Sequence, residues 1–262
     1  MSFPPAQFQH RQVAAELRDA ARNRQPVPPI SGRYPDFTLD DAYLIQRETR
    51  ALELADGAVI AGHKIGATSE PIRKMFGIDH PDFGYVTDRM LLPNGVRLDV
   101  SHFIAPKIEG EIAFQMGADL AGSSVTATDV LENAAAIIPV LEVLDSRIDK
   151  WDIKLIDTVA DNASSAMVVA GEAIPVAGLD LAKERMVFES AGQEQTAFGS
   201  AVMGHPAESV AWLVRLLAEY GGGLRGGDIV LAGAWAGAVD LVAGSTVQAS
   251  FENLGTVAVS VR

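Results

Sequence analysis

The sequence predicts a mixed α and β fold whose sheet is closed or strongly curled. Three observations lead there. Helical spacing of apolar residues dominates the stretch before Asp56. Strand patterns outnumber helical ones in the second half, where short apolar runs are separated by Gly turns. No internal repeat or low-complexity tract interrupts the 262 residues, a length suited to one large domain or one domain with a small N-terminal appendage.

The elements follow in order. Between Pro5 and Asn23, Phe8, Val13, Leu17 and Ala20/Ala21 recur at helical spacing. Pro26, Pro28, Pro29 and Pro35 make Gln25–Pro35 an extended connector. Thr38 before Leu39-Asp40-Asp41 reads as a capping-box start. That helix runs to about Ala55 with Ala42, Ile45 and Leu52 inward, and Asp56-Gly57 ends it. Ala58–Gly66 reads as a strand, Glu70–Phe76 as a short helix capped by Ser69, and Pro81–Tyr85 as a loop. Ile108–Met116 and Ile137–Leu144 are strands, with a helix of about ten residues started by Thr126 or Thr128 between them. His205–Tyr220 is an amphipathic helix with Val210, Leu213, Leu216 and Leu217 inward. Asp228–Ala232, Asp240–Val242, Thr246–Phe251 and Thr256–Val261 are short strands.

Composition removes several classes of function. The chain has 21 Lys+Arg against 34 Asp+Glu, a net charge of −13, and no Cys. The charge disfavours binding to nucleic acid or anionic lipid. The missing Cys excludes disulfides, thiolate nucleophiles and Cys-ligated zinc. Met1–Gln25 has no apolar leader core, and the apolar run Ala134–Leu141 is too short to span a bilayer, so a cytoplasmic protein is expected.

The chemistry concentrates in a few acids. In Lys107-Ile108-Glu109-Gly110-Glu111-Ile112-Ala113-Phe114, strand alternation puts Glu109 and Glu111 on one face and Ile108, Ile112 and Phe114 on the other. Neighbouring carboxylates repel unless a cation or proton lies between them, and oxygen ligands suit Mg²⁺ or Mn²⁺. A solvent-facing polar edge would show the same spacing. Glu142 adds a third acid, set in the otherwise apolar Ile138–Leu144. Buried, it requires a partner or a metal; facing water, or paired with Arg147, it does not. Lys64, in a Gly-flanked strand, is either a salt-bridge partner, an anion binder or a proton donor. Asp82 is either a turn-stabilising residue or a catalytic loop acid. Asp161-Asn162-Ala163-Ser164-Ser165 is either a substrate-binding cluster or a capped turn. Gly221–Gly226 matches G-x-G-x-x-G but follows a helix and leads into a strand, the reverse of dinucleotide-binding order, so it reads as a turn. His205 reads as a helix cap.

Five segments in order carry a resemblance: Gly62-His63-Lys64-Ile65-Gly66, His80-Pro81-Asp82-Phe83-Gly84, Glu109–Phe114, Glu142–Arg147 and Asp157–Ser164. From about Tyr34 onward the chain resembles the hydratase/decarboxylase branch of the fumarylacetoacetase superfamily. Within it, the chain resembles the 2-oxopent-4-enoate (2-hydroxypenta-2,4-dienoate) hydratases of aromatic meta-cleavage pathways. The resemblance implies an α+β fold: a rolled, distorted mixed β-sheet barrel with peripheral helices. It divides the chain into an N-terminal helical segment, 1–58, and a β-rich catalytic domain, 59–262. It implies a divalent metal, Mg²⁺ or Mn²⁺, on Glu109, Glu111 and Glu142. Lys64 and Asp82 are then catalytic, Ser164 helps seat a small 2-oxo or 2-hydroxydienoate, and the chain forms a homo-oligomer that can associate with a paralogous decarboxylase.

The expected reaction is addition of water to the dienoate to give 4-hydroxy-2-oxopentanoate. Asp82 would be the base orienting water and Lys64 the acid or anion stabiliser. Pro81–Tyr85, Gly110 and Trp151-Asp152-Ile153-Lys154 resemble the hydratases, whereas Lys107-Ile108 is closer to the decarboxylases. The alternatives are a 4-oxalocrotonate decarboxylase, an acylpyruvate hydrolase using a His–Glu pair, and a non-catalytic partner subunit.

Overall fold

The computed structural model describes residues 5–70, 73, 74 and 77–262. Three helices precede the sheets: α1 (Pro5–Asn23), α2 (Ile30–Arg33) and α3 (Leu39–Ala55). Thr38 begins α3 with the capping box expected of it, accepting from the Asp41 N–H while the Asp41 carboxylate accepts from the Thr38 N–H. Val13, Leu17, Ile30, Ala42 and Ile45 form a cluster closed by Ile148, Val159 and Ala160 from later in the chain. Phe8 departs from expectation and is 66% exposed. Five residues before Val13, it lies about 140° around the helix from the buried stripe.

The strands are β1 (Ile60–Gly66), β2 (Asp82–Thr87), β3 (Leu91–Pro93), β4 (Arg97–Leu98), β5 (Lys107–Met116), β6 (Ala134–Leu144) and β7 (Ser165–Ala170). After them come β8 (Ile174–Pro175), β9 (Arg185–Ser190), β10 (Gln193–Phe198), β11 (Ile229–Leu231), β12 (Val239–Asp240), β13 (Thr246–Phe251) and β14 (Gly255–Val261). One sheet runs β2-β1-β11-β5-β6-β7-β3, with β12 added on β5 and β8 on β6. The other runs β10-β9-β13-β14-β4. Both mix parallel and antiparallel pairs. Each path is open at its ends, so the mixed fold stands while the sheets form two layers rather than one closed ring.

The layers meet through β5. Ile108, Ile112 and Phe114 join Met186 and Phe188 of β9 and Val247 and Ala249 of β13 in the main core. Gly110 belongs to that face, and a Cβ there would stand 2.8 Å from Met186 Sδ and 3.2 Å from Ala249 Cβ. Its small size lets the layers approach closely. Glu109 and Glu111 therefore point to the opposite side, as alternation predicts.

Three further helices follow: α4 (Ala127–Asn133), α5 (Leu155–Ala160) and α6 (Pro206–Glu219). Thr126 caps α4, and His205 Nδ1 caps α6 by accepting from the Ala207 N–H. The Glu70–Phe76 helix falls partly outside the described residues, which omit 71, 72, 75 and 76. Further expectations change. Gln25–Pro35 is not extended throughout, because α2 occupies Ile30–Arg33. Pro81–Tyr85 is no loop, because β2 starts at Asp82. The β9–β10 hairpin, turning at Ala191 and Gly192 with φ of 49° and 79°, was not anticipated; its signal is the alternation Met186-Phe188-Ser190 before Ala-Gly.

Candidate active site

Register assembles the acids. Glu109 of β5 is the direct antiparallel partner of Glu142 of β6, and Glu111 lies two residues along the same face. Carboxylate oxygens of Glu109, Glu111 and Glu142 all lie within 4.8 Å of one another. Glu111 and Glu142 are fully buried and Glu109 is half-buried. Around them on this side of the sheet lie Val86, Ala113, Ile138, Val140, Val168 and Leu231. One oxygen of Glu111 accepts the Gly233 N–H. Its other oxygen, and both oxygens of Glu142, have no hydrogen-bond partner. Orphaned acceptors at this depth are costly unless a cation meets them. The donor set is all oxygen, so the three residues fit a hard divalent ion.

β1 brings the lysine. Lys64 Nζ lies 3.5 Å from Glu142 Oε2 and donates to the Ala163 carbonyl at 3.4 Å. Asp82 is paired with Gly66 across the β1–β2 ladder. A Cβ on Gly66 would be 2.2 Å from Asp82 Oδ1 and 3.3 Å from Lys64 Nζ, so both groups occupy the space above that glycine. Asp82 Oδ1 has no hydrogen-bond partner and the residue is buried. The Pro and Gly around Asp82 read as turn residues in sequence, but Gly84 serves a close pass: a Cβ there would meet Asn162 Oδ1 at 2.7 Å.

The Asp161–Ser165 cluster is a turn with three successive left-handed residues, Asn162, Ala163 and Ser164, at φ of 54°, 50° and 57°. Such backbone in non-glycine residues persists only where its surroundings hold it. Asn162 is held by β2, its Oδ1 accepting the Tyr85 N–H and its Nδ2 donating to the Tyr85 carbonyl. Ser164 is buried, with Oγ 3.4 Å from Thr158 Oγ1. The sequence pattern missed two backbone groups at the site, the Ala163 carbonyl and the Gly233 N–H. Neither carries a side-chain signal; the only pointer was the Gly-rich stretch after β11.

Burial and crowding set the protonation preferences. Desolvation raises Glu109 to about 8, with the Glu142 charge adding to it and Lys64 opposing it. Desolvation, then Glu142 and Glu109, hold Glu111 well above the usual carboxylate range. Desolvation also raises Asp82, against the Lys64 charge. For Lys64, burial works against the charged form, but Glu142, Asp82, Glu109 and Glu111 together outweigh it and push the ammonium upward.

Other candidates are structural. Arg147 pairs with Asp161, not with Glu142. Asp145 accepts from the Ile104 and Ala105 N–H groups, and Asp157 from Ser31. The described histidine–carboxylate contacts are His10–Asp41 and His80–Asp79, so no described His–Glu pair serves the hydrolase alternative. No described helix is long and apolar enough to cross a membrane.

The two-layer mixed fold thus carries a three-carboxylate cluster suited to a divalent ion. The chain belongs to the fumarylacetoacetate (FAA) hydrolase C-terminal family, whose model matches residues 53–262. Among its relatives, 2-hydroxyhexa-2,4-dienoate hydratase of Comamonas testosteroni is 40% identical over 93% of this chain and 94% of the relative. A 2-keto-4-pentenoate hydratase of Paraburkholderia xenovorans is 36% identical over 95% and 93%. Among solved structures, 4-oxalocrotonate decarboxylase from Pseudomonas putida, complexed with magnesium and adipate, superposes with a TM-score of 0.94. It is 33% identical, covering 97% of this chain and 98% of that one.

Proposed function

We propose that this chain is a divalent-metal-dependent hydro-lyase that adds water to 2-hydroxypenta-2,4-dienoate, giving 4-hydroxy-2-oxopentanoate. The observation that carries the reading is the carboxylate triad, with oxygens of Glu109, Glu111 and Glu142 within 4.8 Å of one another and Lys64 3.5 Å from Glu142. In this reading the three glutamates hold Mg²⁺, consistent with the magnesium in the decarboxylase relative. Bound there, the ion supplies Lewis acidity toward the substrate carboxylate and 2-oxygen.

The chain's own residues do the rest. Lys64, kept cationic by four carboxylates, stabilises negative charge developing on the 2-oxygen. Asp82 enters as the carboxylate, takes the 2-hydroxyl proton, which its burial helps it hold, and delivers that proton to carbon 5. This gives the 2-oxo-3-enoate. The regenerated Asp82 carboxylate then takes a proton from the water whose oxygen bonds carbon 4, and returns that proton to carbon 3. The sum is one water added. In this reading Ser164, in the left-handed turn, helps seat the substrate, while the Ala163 carbonyl accepts from Lys64 Nζ. The proposal includes a cytoplasmic homo-oligomer able to associate with a paralogous decarboxylase, with 59–262 carrying the chemistry and 1–58 as a helical appendage.

Decarboxylation of 4-oxalocrotonate is the second reading, favoured by the TM-score of 0.94 to that enzyme. The higher identity to hydratases, 40% against 33%, places hydration first. The test gives metal-stripped protein 2-hydroxypenta-2,4-dienoate with and without Mg²⁺ and identifies products by mass. A metal-dependent gain of one water is expected. Loss of carbon dioxide from 4-oxalocrotonate without hydration of the dienoate would establish the second reading, and inertness toward both would overturn enzymatic function.

A further inference from the structure

A cleft of about 740 Å³ lies between α3, the β1–β2 pair and the end of α6. That size is typical of small-molecule sites. Arg47 and Arg50, three residues apart on one face of α3, line it together with Arg225. The described arginine ion pairs involve Arg11, Arg18, Arg22, Arg33, Arg147 and Arg262, and none of these three. Three guanidinium groups left unpaired in one cleft are notable in a chain of net charge −13. Asp40 and Asp228 are the carboxylates on its wall, so positive charge is in excess. The wall also carries three aromatic side chains beside leucines of α3 and α6: Tyr43 stacks on Phe83 with ring centroids 4.8 Å apart, and Tyr220 is 72% exposed. His63 lines the same cleft, more than nine-tenths buried, and its Nδ1 has no hydrogen-bond partner.

We propose that this cleft binds a small aromatic carboxylate, its anion held by Arg47, Arg50 and Arg225, its ring against the aromatic wall and a polar edge at His63. Guanidinium groups match a planar carboxylate in two-point fashion, and an aromatic ring fills an apolar wall that a bare anion leaves open. The site is separate from the carboxylate triad. His63 and Lys64 are successive residues of β1, and successive side chains on a strand point to opposite faces. The inference therefore stands whether or not the proposed reaction is correct.

The probe is benzoate, titrated calorimetrically into the metal-loaded protein, with benzyl alcohol as the uncharged counterpart. Submillimolar binding of benzoate and at least tenfold weaker binding of benzyl alcohol are expected. Arg50→Ala and, as a second variant on a different element, Arg225→Ala should each weaken benzoate at least tenfold with the melting temperature retained. Glu111→Gln, which removes a triad carboxylate, should leave benzoate binding unchanged. Binding that survives both arginine substitutions but is lost in Glu111→Gln would move benzoate to the metal centre and overturn the proposal. So would an oligomer that dissociates on Arg50→Ala with benzoate affinity unaltered, which would make the cleft an interface between copies. Benzoate binding only at tens of millimolar would overturn it as well.

Discussion

Glu109 and Glu142 face each other directly across the β5–β6 ladder, two carboxylates at a position where like charges destabilise a sheet. Glu111 adds a third on the same face, and of the three acids Lys64 forms its ion pair with Glu142, at 3.5 Å. With Asp82 as a fourth carboxylate beside Lys64, one ammonium does not balance the set, so protons relieve the repulsion in the metal-free chain and a divalent ion relieves it when bound. Glu109→Gln and Glu111→Gln should therefore raise the melting temperature of the metal-free protein while abolishing its stabilisation by Mg²⁺. Loss of an outer-shell partner at a metal site costs about 10–100-fold, so loss of a ligand should lower kcat/KM by more than about a hundredfold. Calorimetric melting with and without Mg²⁺ checks this; variants less stable than the parent without metal would show that the acids are already satisfied.

The same crowding gives a pH dependence with a definite sign. Glu109 is raised to about 8 in the folded metal-free chain, above its ordinary value of 4.5. The folded state thus holds a proton that the unfolded state has released between those values. Stability from this group is present at low pH and falls as pH rises through that window. Metal binding must expel the proton, so Mg²⁺ affinity should rise with pH, by up to about tenfold per unit for each proton displaced. Titrations at pH 6, 7 and 8 measure the slope, and a flat affinity would remove Glu109 from the ligand set.

Gly66 separates Asp82 from the metal ligands as an experimental variable. Its φ is not in the left-handed region, so alanine is tolerated by the backbone. The added Cβ would nevertheless sit 2.2 Å from Asp82 Oδ1 and displace that carboxylate from Lys64. Gly66→Ala should keep Mg²⁺ affinity within about twofold and lower kcat at least about tenfold, the scale of a misplaced acid–base group. Unchanged turnover would show that Asp82 is not in the proton path.

Much of this site was legible because strand alternation is a strict geometric rule. Glu109 and Glu111 had to share a face once Ile108, Ile112 and Phe114 were assigned to the core, and the structure keeps both groupings. Glu142 stood out as a lone acid in an apolar run for the same reason. The pairing that sets Glu142 opposite Glu109 was not legible, since register depends on contacts between segments more than twenty residues apart. Asp82 was misplaced on a loop because Pro81 and Gly84 are turn residues locally, whereas Gly84 is required by Asn162 passing over it. The Ala163 carbonyl and Gly233 N–H carry no side-chain signature at all.

Asn162 offers the sharpest separation between a structural and a positioning role. Its side chain bonds both the N–H and the carbonyl of Tyr85, tying the left-handed turn to β2, and the next residue's carbonyl accepts from Lys64. Asn162→Gly tolerates the left-handed backbone but removes the tie, leaving a buried Tyr85 N–H unsatisfied. That loss costs about 1–3 kcal/mol, and at roughly 2–4 °C per kcal/mol the melting temperature should drop by several degrees. If the turn also positions Lys64, kcat should fall at least about fivefold at a temperature where the variant is fully folded, with Mg²⁺ affinity retained. Asn162→Asp, which keeps the acceptor to Tyr85 N–H but not the donor, should fall between the parent and the glycine variant. A lowered melting temperature with kcat unchanged in the folded Asn162→Gly protein would confine the residue to holding the turn, and would leave Lys64 to be positioned by Glu142 alone.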